Sequence, residues 1–116
     1  MSKFIWLLIS SLPMLQVSFA AEVQLSGAQI AAMLNNNVLY GETNGQATDQ
    51  IFQKNGVTYY HIGSGQSHGQ WKVVSDQFCS QWSPNPAWVC YDVTREGQSV
   101  IFISPSGERS EMILSK

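Results

Sequence analysis

The spacing of apolar positions changes once along the chain, at Asn35-Asn36-Asn37. Upstream, Ile30, Met33 and Leu34 recur at i, i+3 and i+4, the spacing that places side chains on one face of an α-helix. Downstream, apolar and aromatic residues recur at every second position in short runs divided by turn residues, as in half-buried antiparallel strands. The helix has its own start signal. Ser26 and Gln29 form a capping box, in which each side chain satisfies the other's backbone N–H, and Leu25 is placed to staple onto Ile30. The pattern predicts a short helix over 27–35, stopped by asparagines that tolerate a left-handed backbone.

From Val38 the runs predict strands at roughly 38–43, 48–54, 57–62, 69–74, 77–82, 87–94, 99–104 and 108–114. Asn55-Gly56 is a strong hairpin signal, and Glu96-Gly97 and Pro105-Ser106-Gly107 supply two more. The expected fold is all-β with one short N-terminal helix, an antiparallel up-and-down sheet forming a sandwich or a barrel.

Turn positions also set the register. A four-residue Ser83-Pro84-Asn85-Pro86 loop would face Trp82 with Ala87 and set Cys79 opposite Cys90. With Ser75-Asp76 as a loop, Val73 faces Phe78 and Trp71 faces Ser80; with Glu96-Gly97 as a loop, Val93 faces Val100 and Tyr91 faces Phe102. One side of the sheet then gathers Trp71, Val73, Phe78, Trp82, Val89, Tyr91, Val93, Val100, Phe102 and Met112 as a core. The other carries Lys72, Gln77, Gln81, Asp92 and Thr94, with Trp88, Ile101 and Ile103 as apolar exceptions that are either covered by the helix or exposed.

The first twenty residues do not belong to this pattern. Lys3, the apolar run from Phe4 to Ile9 and the small-x-small Ser18-Phe19-Ala20 read as an export signal cleaved after Ala20, leaving one domain over 21–116. No later apolar run approaches the length of a membrane span. Export predicts a periplasmic or secreted location, an oxidising compartment in which Cys79 and Cys90 form a disulfide. Removing Lys3 leaves five basic against eight acidic residues, a net charge of −3, with no basic cluster. A nucleic-acid partner is disfavoured, because binding phosphates requires a concentrated positive face.

Candidate chemistry is sparse. His61 and His68 flank a Gly/Ser-rich stretch whose hairpin would bring the two imidazoles face to face, with Glu42 or Asp49 near; they are read as surface histidines, since no ligand motif accompanies them. The serines stand in no nucleophile setting, both thiols belong to the bridge and the carboxylates are scattered, so no catalytic residue, metal site or cofactor site is assigned. Trp88, beside the Pro84-Asn85-Pro86 tip, is the residue placed to contact a partner if the helix does not cover it.

The elements "LSGAQIAAMLNNN", "LYGETNG", "KNGVTYY", "GQWKV", "FCSQW" and "WVCYDV" together resemble the small periplasmic or secreted proteins of uncharacterised function of Gram-negative bacteria, in which G-x-T, G-x-W and paired-cysteine hairpin elements recur. The resemblance implies a lipocalin-like β-barrel and brings no catalytic residues. A second resemblance is to periplasmic inhibitors of secreted metalloproteases, disulfide-clasped barrels whose extended N-terminal segment blocks the protease cleft; here only Ala21 to Leu25 is free to form such a plug. The expected function is a noncatalytic binding module of the bacterial envelope, holding a small apolar ligand or a protein at the barrel mouth or rim loops, with inhibition of an exported hydrolase as the alternative.

Overall fold

A computed structural model describes residues 21–115; the predicted export signal lies outside the described residues. The chain runs β1 (Val23–Gln24), α1 (Gly27–Leu34), β2 (Asn37–Thr43), β3 (Gln46–Phe52), β4 (Val57–Ile62), β5 (Gly65–Val74), β6 (Gln77–Trp82), β7 (Val89–Glu96), β8 (Ser99–Ile103) and β9 (Arg109–Ile113). Strands β2 to β9 follow one another as antiparallel hairpins, and β9 returns to β2, closing an eight-stranded up-and-down barrel. Closure removes sheet edges that would otherwise template association.

The helix forms as its sequence dictates. Ser26 accepts the Gln29 N–H at 3.2 Å, and the Gln29 side chain accepts the Ser26 N–H at 2.8 Å. Asp76, from the β5–β6 turn, accepts the Gly27 N–H at 2.7 Å, where a carboxylate is favoured by the exposed N–H groups of the first turn. Gly27 has to be glycine, since a Cβ there would collide with the Ser75 carbonyl oxygen. Asn36 takes φ 59° just beyond the helix and turns the chain into β2.

The helix does not lie on the outer face of the sheet. It closes one end of the barrel, where Leu25, Ile30 and Leu34 are buried with Leu39, Phe52, Trp71, Phe78, Val93 and Val100. Phe52 stands edge-on to Trp71 and to Phe78, both at 5.8 Å, and the Trp71 indole N–H donates to the Gln53 carbonyl at 2.8 Å. An amphipathic helix has one apolar stripe, and the open end of a barrel, ringed with inward side chains, buries more of it than a hydrogen-bonded wall does.

The outer apolar residues find other cover. Val23 and Gln24 pair with Arg95 and Thr94, and the Glu22 carboxylate accepts from Thr94 at 2.6 Å and from Arg109 at 2.8 Å. Thr94 on β7 pairs with Ile101 and Arg109 on β9 pairs with Ile103, so the Glu22 contacts bridge the two strands flanking β8 near Ile101, which is 5% exposed. Trp88 is half-buried on the outer wall with the Lys72 ammonium 4.0 Å above its ring.

The registers at Val73↔Phe78, Trp71↔Ser80 and Cys79↔Cys90 match those expected from the turns, and Cys79 and Cys90 are bonded across adjacent strands. Three differ. The β6–β7 ladder ends at Ser80↔Val89, so Trp82 does not face Ala87; residues 83–88 form a longer loop, with a cis Ser83–Pro84 bond, held by Asn85 N–H to the Trp82 carbonyl and by Gln81 to the Pro86 carbonyl. The β7–β8 turn is Gly97-Gln98, which pairs Val93 with Phe102 and Arg95 with Val100; a shift of two preserves every side chain's face. The β4–β5 turn is only Gly63-Ser64, so β5 starts at Gly65, and β3 starts at Gln46 after a tight Asn44-Gly45 turn with positive φ at both positions. Val89, expected in the core, is 39% exposed where the β6–β7 ladder has opened.

Candidate functional site

Inward side chains change character along the barrel axis. At the helix end they are large: Leu39, Phe52, Trp71 and Phe78. Toward the other end the same strands present Gly41 and Thr43 on β2, Gln50 and Thr48 on β3, Gly69 and Ser67 on β5, and Ser80 on β6. Strand walls are fixed in position by their hydrogen-bond ladders and cannot collapse onto small side chains. The barrel is therefore filled at one end and hollow at the other, with a cavity of about 570 Å³.

Two kinds of wall line it. Phe78, Tyr91, Phe102 and Met112 form an apolar side, with Phe78 5.2 Å from Phe102 and Tyr91 6.4 Å from Phe102. Thr43, Thr48, Gln50, Ser67, Ser80 and Ser110 supply hydroxyl and amide groups. Tyr60 and Trp82 meet edge-to-face at 6.4 Å near the mouth, with the Tyr60 hydroxyl and Thr43 hydroxyl 3.2 Å apart and the Trp82 indole donating to Ser80 at 3.2 Å. Trp82 lies over Gly69, where a Cβ would collide with the Gln81 carbonyl and press on the indole ring. A side chain at position 69 would displace the ring that shapes the mouth.

The cavity lining contains no histidine or basic side chain. Both histidines are outside. His61 faces Gln66 and His68 faces Tyr59, so the hairpin does not set the imidazoles opposite each other. Instead the Asp49 carboxylate stands 2.6 Å from His61 Nδ1 and the Gln66 side-chain oxygen 2.9 Å from Nε2. Two acceptors facing two ring nitrogens favour the doubly protonated ring, and they raise the His61 pKa above its ordinary value of 6.5, Asp49 contributing most. Glu22 is shifted downward by the Thr94 hydroxyl and then by Arg109. Among the described residues no group of three or more His, Cys, Asp or Glu side chains is placed to hold a metal ion, and no helix is long and apolar enough to cross a membrane.

Of the positions singled out in the sequence, Cys79 and Cys90 form the predicted bridge, whereas Trp88 lies on the outer wall away from the cavity. The lining residues Tyr60, Gln50, Thr48, Ser67 and Ser110 carried no motif. Their signal is the fall in inward side-chain size toward one end of β2, β3 and β5. Compared with known protein families, characterised proteins and solved structures, the chain shows no significant match.

Proposed function

We propose that this is a noncatalytic binding protein, exported to the bacterial envelope or beyond, that holds a small and largely apolar ligand inside its barrel. The observation that carries the reading is the half-hollow interior: a cavity of about 570 Å³, aromatic on one side and lined with hydroxyl and amide groups on the other. Its size and mixed lining are those of small-molecule sites, which typically enclose about 300–1,000 Å³ and place a few polar groups among apolar ones. The disulfide accords with an oxidising compartment.

The alternative, inhibition of an exported hydrolase through the N-terminal segment, requires residues that are already engaged. Glu22 is tied to Thr94 and Arg109, Val23 and Gln24 pair with β7, and Leu25 is buried with its N–H bonded to the Val93 carbonyl. A plug made from this segment would first have to leave the barrel.

Titration with N-phenyl-1-naphthylamine, a neutral dye that brightens in apolar surroundings, tests the cavity. A saturable rise at one dye per chain is expected, lost in Ser67→Trp, which fills the mouth opposite Tyr60 while the protein stays folded. No saturable rise in the native protein, or a rise unchanged by the filling substitution, refutes the reading.

A further inference from the structure

Within most strands the cavity touches alternate residues, as it must where only inward side chains reach it: Thr48 and Gln50 on β3, Phe78, Ser80 and Trp82 on β6. On β2 and β9 it touches three in a row, Gly41-Glu42-Thr43 and Ser110-Glu111-Met112. Consecutive residues border one void only where the void passes the strand edge. Among the described residues the β2–β9 ladder contains a single pair, Tyr40↔Ile113, and the strands part toward the mouth. The cavity therefore reaches a lateral gap flanked by two carboxylates, Glu42 and Glu111.

Inside, beside β2, the polar wall has unused hydrogen-bonding capacity. The Thr48 hydroxyl, on a residue only 6% exposed, has no partner among the described residues, and Gln50, 9% exposed, spends one amide N–H on Thr58 while its oxygen is left open. Among the described residues no fully enclosed side-chain nitrogen or oxygen lacks a partner, so these atoms open onto the cavity that Thr48 and Gln50 line. Both offer acceptors. The charges around the gap agree: Arg109 is engaged with Glu22, while Glu42 and Glu111 border the gap as acidic residues, Glu111 bonded to Ser99 of β8. The polar groups inside can also donate, through the Thr48 O–H and the second Gln50 N–H, so the choice between acid and base falls to the negative charge around the gap, which repels an acid. A base meets what it needs.

Resting on the reading of the barrel as a ligand-binding cavity, we propose that its occupant is an amphipathic amine, with an apolar body against Phe78, Tyr91, Phe102 and Met112 and an ammonium directed to Thr48 and Gln50 beside the Glu42/Glu111 gap. Three probes of equal length separate this proposal from the broader one: 4-phenylbutylamine, 4-phenylbutanol and 4-phenylbutyrate, titrated calorimetrically into the full chain as purified. The amine is expected to bind at least about tenfold more tightly than the alcohol, and the carboxylate most weakly. The double substitution Glu42→Gln, Glu111→Gln should bring the amine to within about threefold of the alcohol and leave alcohol binding unchanged, and 0.5 M salt should narrow the same difference by screening. Thr48→Val, close to isosteric, should weaken the amine more than it weakens the alcohol. Amine and alcohol binding equally, the carboxylate binding most tightly, or a double variant that keeps the full amine preference would each overturn the proposal while leaving the cavity reading intact. No heat from any of the three at millimolar concentration would overturn both.

Discussion

Replacing both cysteines with alanine is expected to cost the protein a large part of its stability without altering its fold, and the size of the loss follows from the chain. Cys79 and Cys90 are 11 residues apart. Closing a loop of that length removes conformational entropy from the unfolded ensemble worth about 2.8 kcal/mol at 25 °C on the chain-entropy relation. A smaller packing loss adds to it, because Cys79 is fully buried and an alanine there leaves part of the sulfur's volume empty; a fair allowance is about 1 kcal/mol. The native ladder does not depend on the bridge, since Phe78↔Tyr91 and Ser80↔Val89 flank it within one hairpin. Urea unfolding followed by tryptophan fluorescence should therefore show a loss of about 3–4 kcal/mol. At a slope of roughly 1–1.5 kcal/mol per molar urea, the midpoint falls by about 2–4 M. The near-ultraviolet circular dichroism of the folded variant should be unchanged. A loss below about 1 kcal/mol would refute the reasoning, because it would mean that the unfolded chain already holds this hairpin closed. Loss of native tertiary dichroism in the absence of denaturant would refute it from the other side, by making the bridge a condition of the native structure.

Other substitutions probe other parts of the same account. Phe52→Ala removes a fully buried ring standing edge-on to Trp71 and Phe78, and should cost about 3–5 kcal/mol in the same urea assay, with no saturable return of stability from small apolar ligands expected at the mouth. Trp88→Ala should cost only about 1 kcal/mol and leave cavity binding intact, because it removes a cation–π contact on the outer wall; a loss above about 3 kcal/mol would contradict its placement. The His61 imidazole should titrate above pH 6.5 in an NMR pH series, and Asp49→Asn should bring it back down. Since its pKa is raised in the folded state, the stabilisation it contributes is complete below its unfolded value and is lost as pH rises through the folded value. For Glu22, whose pKa is lowered, the contribution is present above its ordinary value of 4.5 and disappears as pH falls through the folded value; Arg109→Ala should shrink that acid-side loss.

What the sequence announces and what it conceals divide along a physical line. The capping box of Ser26 and Gln29, the hairpins and the Cys79–Cys90 pairing are legible because each is decided by residues close in the chain: a cap by three positions, a register by the two or four residues of a turn. Even the β7–β8 turn, read one residue too early, left Val93, Val100 and Phe102 on the correct face, because the register moved by two. The seat of the helix was not legible in the same way. Ile101 and Trp88 are apolar on the outer face and looked like a platform for it, whereas the end of the barrel exists only after β9 has returned to β2, a contact between the two ends of the folded domain.

The cavity was hidden for a related reason. Thr48, Ser67, Ser80 and Ser110 are small and polar, and in a flat sheet such residues indicate the solvent side. Closure reverses their meaning. Once the wall is a ring held by hydrogen bonds, a small inward residue does not draw the opposite wall closer; it leaves space, and its hydroxyl becomes part of the lining. The direction of the size gradient adds the decisive point. Along β2 inward side chains shrink with the chain, from Leu39 to Gly41, and along β3 and β5 they grow, from Thr48 to Phe52 and from Ser67 to Trp71, so these three strands set their small residues at the same end, whereas β4 places Thr58 at the helix end and Tyr60 nearer the mouth. The small inward residues of β2, β3 and β5 leave a space at one end of the barrel, while the helix and its aromatic floor supply the stability at the other.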